Sequence, residues 1–346
     1  MGEPLIPTRP IGQTGLEVTR IGFGGAPIGF LDKAPSDADA QDLLQAAWDA
    51  GIRYFDTAPF YGSGLSERRI GDFLRGKARD SYVLSSKVGR LLVPDRAWAV
   101  DRFGSARALP FRPEFDFTYD GVMRSFEHSL QRLGLERIDI LFLHDIGRFA
   151  QNDQHAQRWD EVTTGGGIRA LTALRDQGVV RGIGAGVNEW PVINDLLDEA
   201  AFDVFLLANR YTLLDQEVID TLLPRCEREG VAIIDGAPLN SGILATGPIP
   251  DARFDYAPAS EAMLEKTRRI EEACKRHGTT LIHAALNFPL GHAAITAIIP
   301  GFSTMTEFRD NLAGYRKPIA PELWIELKAD GLIHPKAPAP QTPILA

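Results

Sequence analysis

The sequence predicts an α/β chain folded as a closed (β/α)8 barrel, and three observations predict it. A unit of helix, glycine, buried strand and polar loop recurs, at Gly51-Ile52, at Gly178-Val179-Val180 and at Gly230-Val231-Ala232. Most strand candidates are near-continuous apolar runs rather than alternating ones, which means burial on both faces and hence a parallel sheet covered by helices. Their number is eight, the count that closes such a barrel. A doubly wound open sheet is the alternative, though the last strands then lack a cofactor fingerprint.

The 346 residues are enough for one barrel of about 250 residues with insertions, so 1–346 is expected to form one domain. Hydrophobic content of 44% with 24% charged residues is that of a soluble globular protein, and no apolar run is long enough to span a bilayer. The start, MGEPLIPTRP, lacks an apolar secretory core, so a cytoplasmic location is expected. Cys226 and Cys274 are too few for a disulfide framework, and no Cys/His cluster has zinc spacing, so no metal is expected. A net charge of −9 without a basic stripe argues against nucleic acid. Oligomeric state is not fixed by the sequence, and a homodimer stays open.

Taken in order, Ile11 to Val18 reads as an N-terminal hairpin turned at Gln13-Thr14-Gly15, a plug or edge element. Arg20-Ile21-Gly22-Phe23-Gly24-Gly25 is a strand running into glycines. No helix opens after it, so it is not a dinucleotide fingerprint; Gly24 and Gly25 form either a turn near a ligand or a place of close packing. The first helix starts at Ser36, where Asp39 completes an acidic capping box. Ala40, Leu43, Leu44, Ala47 and Trp48 share its apolar face, and Gly51 ends it. Strands follow at 52–55, 82–86, 138–143, 179–184, 204–207, 231–235 and 295–299. Helices alternate with them at 67–74, 119–133, 167–177, 191–200, 221–229, as a pair over 261–290, and at 306–313. The connections 88–118 and 239–260 are too long for simple loops and should lie over the barrel's C-terminal mouth; the first carries Trp98, Phe103, Phe111, Phe115 and Phe117. A short helix at 321–330 precedes a proline-rich tail, 331–346, expected to be poorly ordered.

Polar residues at three consecutive strand ends carry the chemistry. Asp56 and Tyr61 follow the second strand, Lys87 the third and His144 the fourth, at the edge where parallel α/β enzymes place their sites. Consecutive barrel strands are neighbours, so these side chains can meet. Tyrosine titrates near pH 10 and is a poor acid or base at neutrality. A lysine ammonium beside it lowers that value and brings Tyr61 towards acid-base work. A buried Lys87 needs a counter-charge, which Asp56 supplies. His144 is placed to orient a carbonyl or hydroxyl oxygen beside Tyr61.

These motifs, FDTAPFYGSGLSE, SSKVG, IDILFLHD and IPGFSTMTEFRDN, closely resemble the aldo-keto reductase superfamily from Ile11 to about Asn311. AGVNEW, NRYTLLDQ and APLNSGIL look like its bacterial D-threo-aldose 1-dehydrogenase branch, which includes L-fucose dehydrogenases. The resemblance implies a TIM barrel and hydride transfer at nicotinamide C4, with Asp56, Tyr61, Lys87 and His144 as the catalytic four. It further implies that Asn188 holds the carboxamide, that Pro238, Leu239 and Ser241 line the pyrophosphate, and that Gly301, Thr304, Glu307 and Asn311 meet the adenosine end. The tyrosine on which many members stack nicotinamide falls at Gly236, and a nearby glutamine at Ala208, so ring packing must differ.

NADPH-using relatives tend to place Lys or Arg at the positions of Gly301, Thr304 or Glu307. A carboxylate at Glu307 repels a 2′-phosphate, so NAD is expected, with NADP left open through Arg309 or Arg316. The function implied is oxidation of the anomeric carbon of an aldose of D-threo or L-fucose type to the lactone. The rival expectations are an NADPH-dependent aldehyde reductase, a pyridoxal 4-dehydrogenase, and a redox-sensing binding subunit of the kind this fold lends to ion channels.

Overall fold

The computed structural model describes residues 6–29, 35–98 and 109–340. Eight parallel strands make one sheet in chain order: β1 Phe23–Gly24, β2 Tyr54–Asp56, β3 Val83–Val88, β4 Ile140–His144, β5 Gly182–Val187, β6 Val204–Ala208, β7 Ala232–Gly236 and β8 Ile295–Ile299. Bridges from Ile21 to Ile298 and from Gly24 to Gly301 join the last strand to the first, so the sheet closes into a barrel. Among the described residues, the main helices that carry the chain around and beyond it are α1 Asp37–Asp49, α2 Leu65–Leu74, α3 Tyr119–Leu133, α4 Gly167–Asp176, α5 Pro191–Glu199, α6 Leu222–Glu229, α7 Glu261–Arg276, α8 Leu281–Asn287, α9 Met305–Arg316 and α10 Pro321–Ala329, with shorter helical segments at Arg148–Gln151, His155–Val162 and Ile243–Thr246.

Alternation along each strand sorts the core into two layers. Outward residues such as Phe55, Leu84, Leu141, Ile183, Phe205, Ile233 and Ile298 pack under the helices. Inward residues, Tyr54, Val83, Ile140, Phe142, Val204, Leu206, Ile234 and Ala297, fill the barrel together with Ile11, Leu16 and Val18 of the N-terminal hairpin. That hairpin, Thr8–Pro10 against Glu17–Thr19, therefore plugs the bottom as a separate two-stranded sheet. Ser36 caps α1 through the capping box, its hydroxyl accepting from Asp39 N at 3.1 Å.

Several expectations are corrected. Strands β2 to β7 end one to three residues later than the apolar runs suggest, while β1 and β8 end where expected; Val179 and Val180 bond back to Leu174 O and finish the α4 turn instead of starting β5. Arg90–Pro94 and Phe111–Phe115 pair antiparallel as a hairpin, and Phe117 is fully buried against Gly89 rather than over the mouth. Phe103 lies outside the described residues. Residues 331–340 of the tail are packed onto the barrel, with Leu332, Ile333 and Ala337 buried and Lys336 Nζ donating to Asp220 at 2.7 Å; 341–346 lie outside the described residues.

Candidate active site

The parity that fills the barrel also builds the site. Counting on by two from Tyr54, Val83 and Phe142 brings Asp56, Lys87 and His144 to the inward face at the strands' C-terminal ends. By the same count Asp235 on β7 faces the helices, away from the cluster. Its carboxyl has no hydrogen-bond partner among the described residues, and burial pushes it well above the usual carboxylate range.

Lys87 Nζ donates to Asp56 Oδ2 at 2.6 Å and to Thr57 O at 3.0 Å. Ser85 Oγ donates to Asp56 Oδ1 at 2.7 Å and lies 3.0 Å from the Tyr54 hydroxyl, tying the cluster to the filled layer beneath. Gly186 makes room for the lysine: a Cβ there would stand 3.1 Å from Lys87 Cε. Glu67, at the end of the GLSE segment, is fully buried and accepts from Ser86 Oγ at 2.9 Å and Arg132 Nε at 2.5 Å, so it fastens α2 to β3 and α3.

Tyr61 sits on the turn before α2, with Lys87 Nζ 4.7 Å from its ring centroid and hydrogen-bonded to its hydroxyl. Burial pulls the Lys87 ammonium down, but Asp56 and Tyr61 together carry it above its ordinary value. Burial drives the Tyr61 hydroxyl above the ordinary phenol value; Lys87 opposes this and Asp56 adds to it. The expectation that Lys87 brings Tyr61 below that value is corrected, since desolvation of a phenolate outweighs the nearby ammonium here.

The His144 ring meets Tyr61 edge-on at 5.8 Å and 90°, and Phe60 at 6.1 Å and 73°. Burial, then Arg90 and Lys87, hold the imidazole well below its usual titration range, so it stays neutral. Its Nδ1 is buried with no partner among the described residues. A neutral imidazole offers one donor and one acceptor, which suits a substrate oxygen.

The other candidates lie on the segments that follow β5, β7 and β8. Asn188 follows β5, with Nδ2 donating to Asp145 Oδ1 at 3.1 Å. Beyond β7, Ala237, Asn240 and Ser241 all have positive φ, turning the Pro238–Ser241 segment tightly beneath Asn209. Asn209 Oδ1 and Asn240 Oδ1 are buried without partners among the described residues. At the far end Thr304 caps α9, its hydroxyl accepting from Glu307 N at 3.1 Å, while Glu307 Oε2 accepts from Ser303 N at 2.8 Å. Asn311, one turn further along α9, is buried.

Gly24 and Gly25 are explained by packing. A Cβ on Gly24 would lie 3.0 Å from Ile299 O and Pro300 O, and one on Gly25 would lie 2.6 Å from Asp56 O. Gly301 is equally constrained, 2.4 Å from Pro27 Cγ. Arg316, considered for the adenosine end, lies in the last turn of α9 and donates to Ala50 O at 3.2 Å instead.

Residues 20–329 match the aldo/keto reductase family. The chain belongs to this family of oxidoreductases. It is 44% identical over 335 residues to the pyridoxal 4-dehydrogenase of Microbacterium luteolum, covering 94% of this chain and 97% of that one. It is 38% identical over 325 residues to a D-threo-aldose 1-dehydrogenase of a Pseudomonas species, covering 92% and 96%. The holo form of an aldo-keto reductase from Bacillus halodurans superposes with a TM-score of 0.73 at 21% identity, covering 97% and 99%, which speaks to the shared barrel.

Within this aldo/keto reductase, one group of residues is not apparent in the sequence. Asp145, with φ of 57°, ion-pairs with Arg90, lies 3.5 Å from His144 Nε2 and accepts from Asn188. Arg90 in turn is stacked between Phe60, at 4.1 Å, and Phe115, at 4.7 Å. The only local signals are the acid directly after His144 and the arginine directly after SSKVG. Among the described residues no helix is long and apolar enough to cross a membrane, and no group of side chains is placed to hold a metal ion.

Proposed function

We propose that the protein oxidises a cyclic hemiacetal to a lactone, passing hydride from the hemiacetal carbon to a nicotinamide dinucleotide, NAD in preference to NADP. The observation that carries this reading is the buried Asp56–Lys87–Tyr61 cluster facing a neutral His144 across the barrel mouth. The hemiacetal O–H proton goes to the Tyr61 oxygen while the C–H pair leaves as hydride, and the C–O bond becomes the lactone carbonyl. Lys87 favours the phenolate against its burial, Asp56 keeps Lys87 charged and in place, and His144 holds the substrate oxygen at Tyr61. The dinucleotide, when bound, supplies the hydride acceptor. In this reading Asn188 takes the carboxamide, Pro238, Leu239 and Ser241 the pyrophosphate, and Gly301, Thr304, Glu307 and Asn311 the adenosine end, donors and acceptors of the kind those groups need.

Both named relatives act on molecules that close on themselves as hemiacetals, pyridoxal through its neighbouring hydroxymethyl group and aldoses through a ring hydroxyl. Phe60, edge-on to His144 and covered by the Arg90 guanidinium, favours a flat aromatic substrate and hence pyridoxal. The aldose reading rests on the second relative. The test is to follow 340 nm absorbance with pyridoxal, L-fucose and a D-threo aldose, each with NAD and with NADP, and to identify the product by mass. NAD reduction with lactone formation supports the proposal; NADPH oxidation by simple aldehydes with no lactone overturns it.

Two further outcomes are expected. With Tyr61 as base, raised by burial, kcat/KM for oxidation rises with pH from neutrality into the alkaline range, and the reverse reduction falls over the same range. His144, already neutral, adds no limb near pH 6.5. A pH profile in both directions checks this. Glu307→Gln keeps a group able to cap Ser303 and removes the charge, so NADP should gain about fivefold relative to NAD in kcat/KM.

A further inference from the structure

Between β7 and α7 the chain returns over the mouth as a short hairpin, Arg253–Phe254 against Ala257–Pro258, turned at Asp255 and Tyr256. Both turn residues have positive φ, 51° and 64°, in the region that L side chains rarely adopt. Such a turn persists only where its surroundings hold it, and besides Arg253 within the hairpin it is held by Arg210, Ser241, Asn188 and Asn209. Arg210, at the end of β6, donates to both Asp255 carboxylate oxygens at 2.9 Å and through Nε to Asn188 O at 2.7 Å. Tyr256 N donates to Ser241 Oγ at 2.9 Å. The ring lies half in solvent, but its hydroxyl points inward, donating to Asn188 Oδ1 at 2.8 Å and accepting from Asn209 Nδ2 at 3.3 Å.

The consequence falls on Asn188. A side-chain amide has two N–H donors and a carbonyl with two lone pairs, and nothing intrinsic decides which way round it stands. Here Tyr256 donates to its oxygen and Asp145 accepts from its nitrogen, so both ends are assigned. One lone pair and one N–H are left over. That remainder is the complement of a primary carboxamide, which donates through its NH2 and accepts through its C=O.

We propose that Tyr256 is a positioning residue for the cofactor: its hydroxyl, brought in by the hairpin, holds Asn188 in the orientation that receives the nicotinamide carboxamide, and the Arg210–Asp255 pair keeps the hairpin down. This rests on the dinucleotide reading above. It also answers the gap at Gly236, where β7 offers no side chain to order the nicotinamide ring, because order is supplied from the hairpin.

The test is calorimetric binding to the full chain, with NAD, with ADP-ribose, which lacks nicotinamide, and with 3-acetylpyridine adenine dinucleotide, in which methyl replaces the carboxamide NH2. Tyr256→Phe keeps the ring and removes one hydrogen bond. It should weaken NAD by about fivefold to tenfold, leave ADP-ribose unchanged, and bring NAD down towards the acetylpyridine analogue. Asp255→Asn, which loosens the strap as a whole, should weaken NAD and ADP-ribose together; thermal melts confirm that both variants fold. If Tyr256→Phe leaves NAD unchanged, or weakens NAD and ADP-ribose equally, the positioning role is wrong. If Asp255→Asn changes neither ligand, the strap role is wrong. Should the native protein bind neither NAD nor ADP-ribose, the dinucleotide reading itself fails, which is a separate outcome.

Discussion

Replacing Tyr61 with phenylalanine is expected to lower kcat by about 10²–10⁴-fold while leaving dinucleotide affinity close to native, since general acid-base groups contribute on that scale. The substitution removes one oxygen and keeps the ring that Lys87 covers at 4.7 Å and that His144 meets at 5.8 Å. Packing is therefore retained and the loss reports on chemistry. Both pH limbs assigned to Tyr61 should vanish with it, leaving whatever slow turnover remains flat in pH. Single-turnover rates with saturating substrate, set beside cofactor binding, separate the two effects. A variant that keeps native turnover would show that the proton is taken elsewhere, and the role given to the whole cluster would fall with it.

Much of this site is legible in the sequence because it depends on strand order and side-chain parity. Tyr54 and Asp56, Ser85 and Lys87, Phe142 and His144 are pairs two apart on strands that follow one another. Knowing that the strands are neighbours is enough to bring their ends together. Helix α3 forms over Tyr119–Leu133 as expected, and in the structure Thr118 caps it and Gly134 ends it. The fold of Val179 and Val180 is less so, because two apolar residues after a helix serve equally well as the start of a strand or as the cover of the last helical turn.

What stays hidden depends on contacts between distant segments. Arg90 and Asp145 are 55 positions apart, and Tyr256 and Asn188 are 68. No periodicity joins such pairs. Tyr256 falls in the long connection 239–260 and belongs to no motif, and the role proposed for it is visible only when its hydroxyl is seen on the Asn188 amide. Glu307 shows the same limit at short range. Its charge can be read from the sequence, but the structure turns the carboxylate back onto Ser303 N as a helix cap. In the proposed dinucleotide reading, Glu307 therefore acts on a 2′-phosphate through charge rather than direct contact.

Lys87→Met carries the second large effect and separates structure from chemistry. The side chain is 2% exposed, and its removal leaves Asp56 buried with Ser85 as its remaining side-chain donor. Breaking one side of such a pair costs about 3–5 kcal/mol. Burial already pushes Asp56 above the usual carboxylate range, with Lys87 and Ser85 opposing, so losing Lys87 raises it further. The sign follows from linkage: a carboxyl whose folded pKa exceeds its unfolded value favours the fold in its protonated form. That contribution is present below the unfolded value and is lost as pH rises through the folded one. Urea melts of Lys87→Met should therefore show the deficit shrinking towards acid and growing towards neutrality. Adding Asp56→Asn removes the buried charge, so the double variant should recover most of the stability and lose the pH dependence. Activity should not return with it, since Tyr61 then has no ammonium to favour its phenolate against burial. A double variant that regained both would mean that the Asp56–Lys87 pair is there for folding alone.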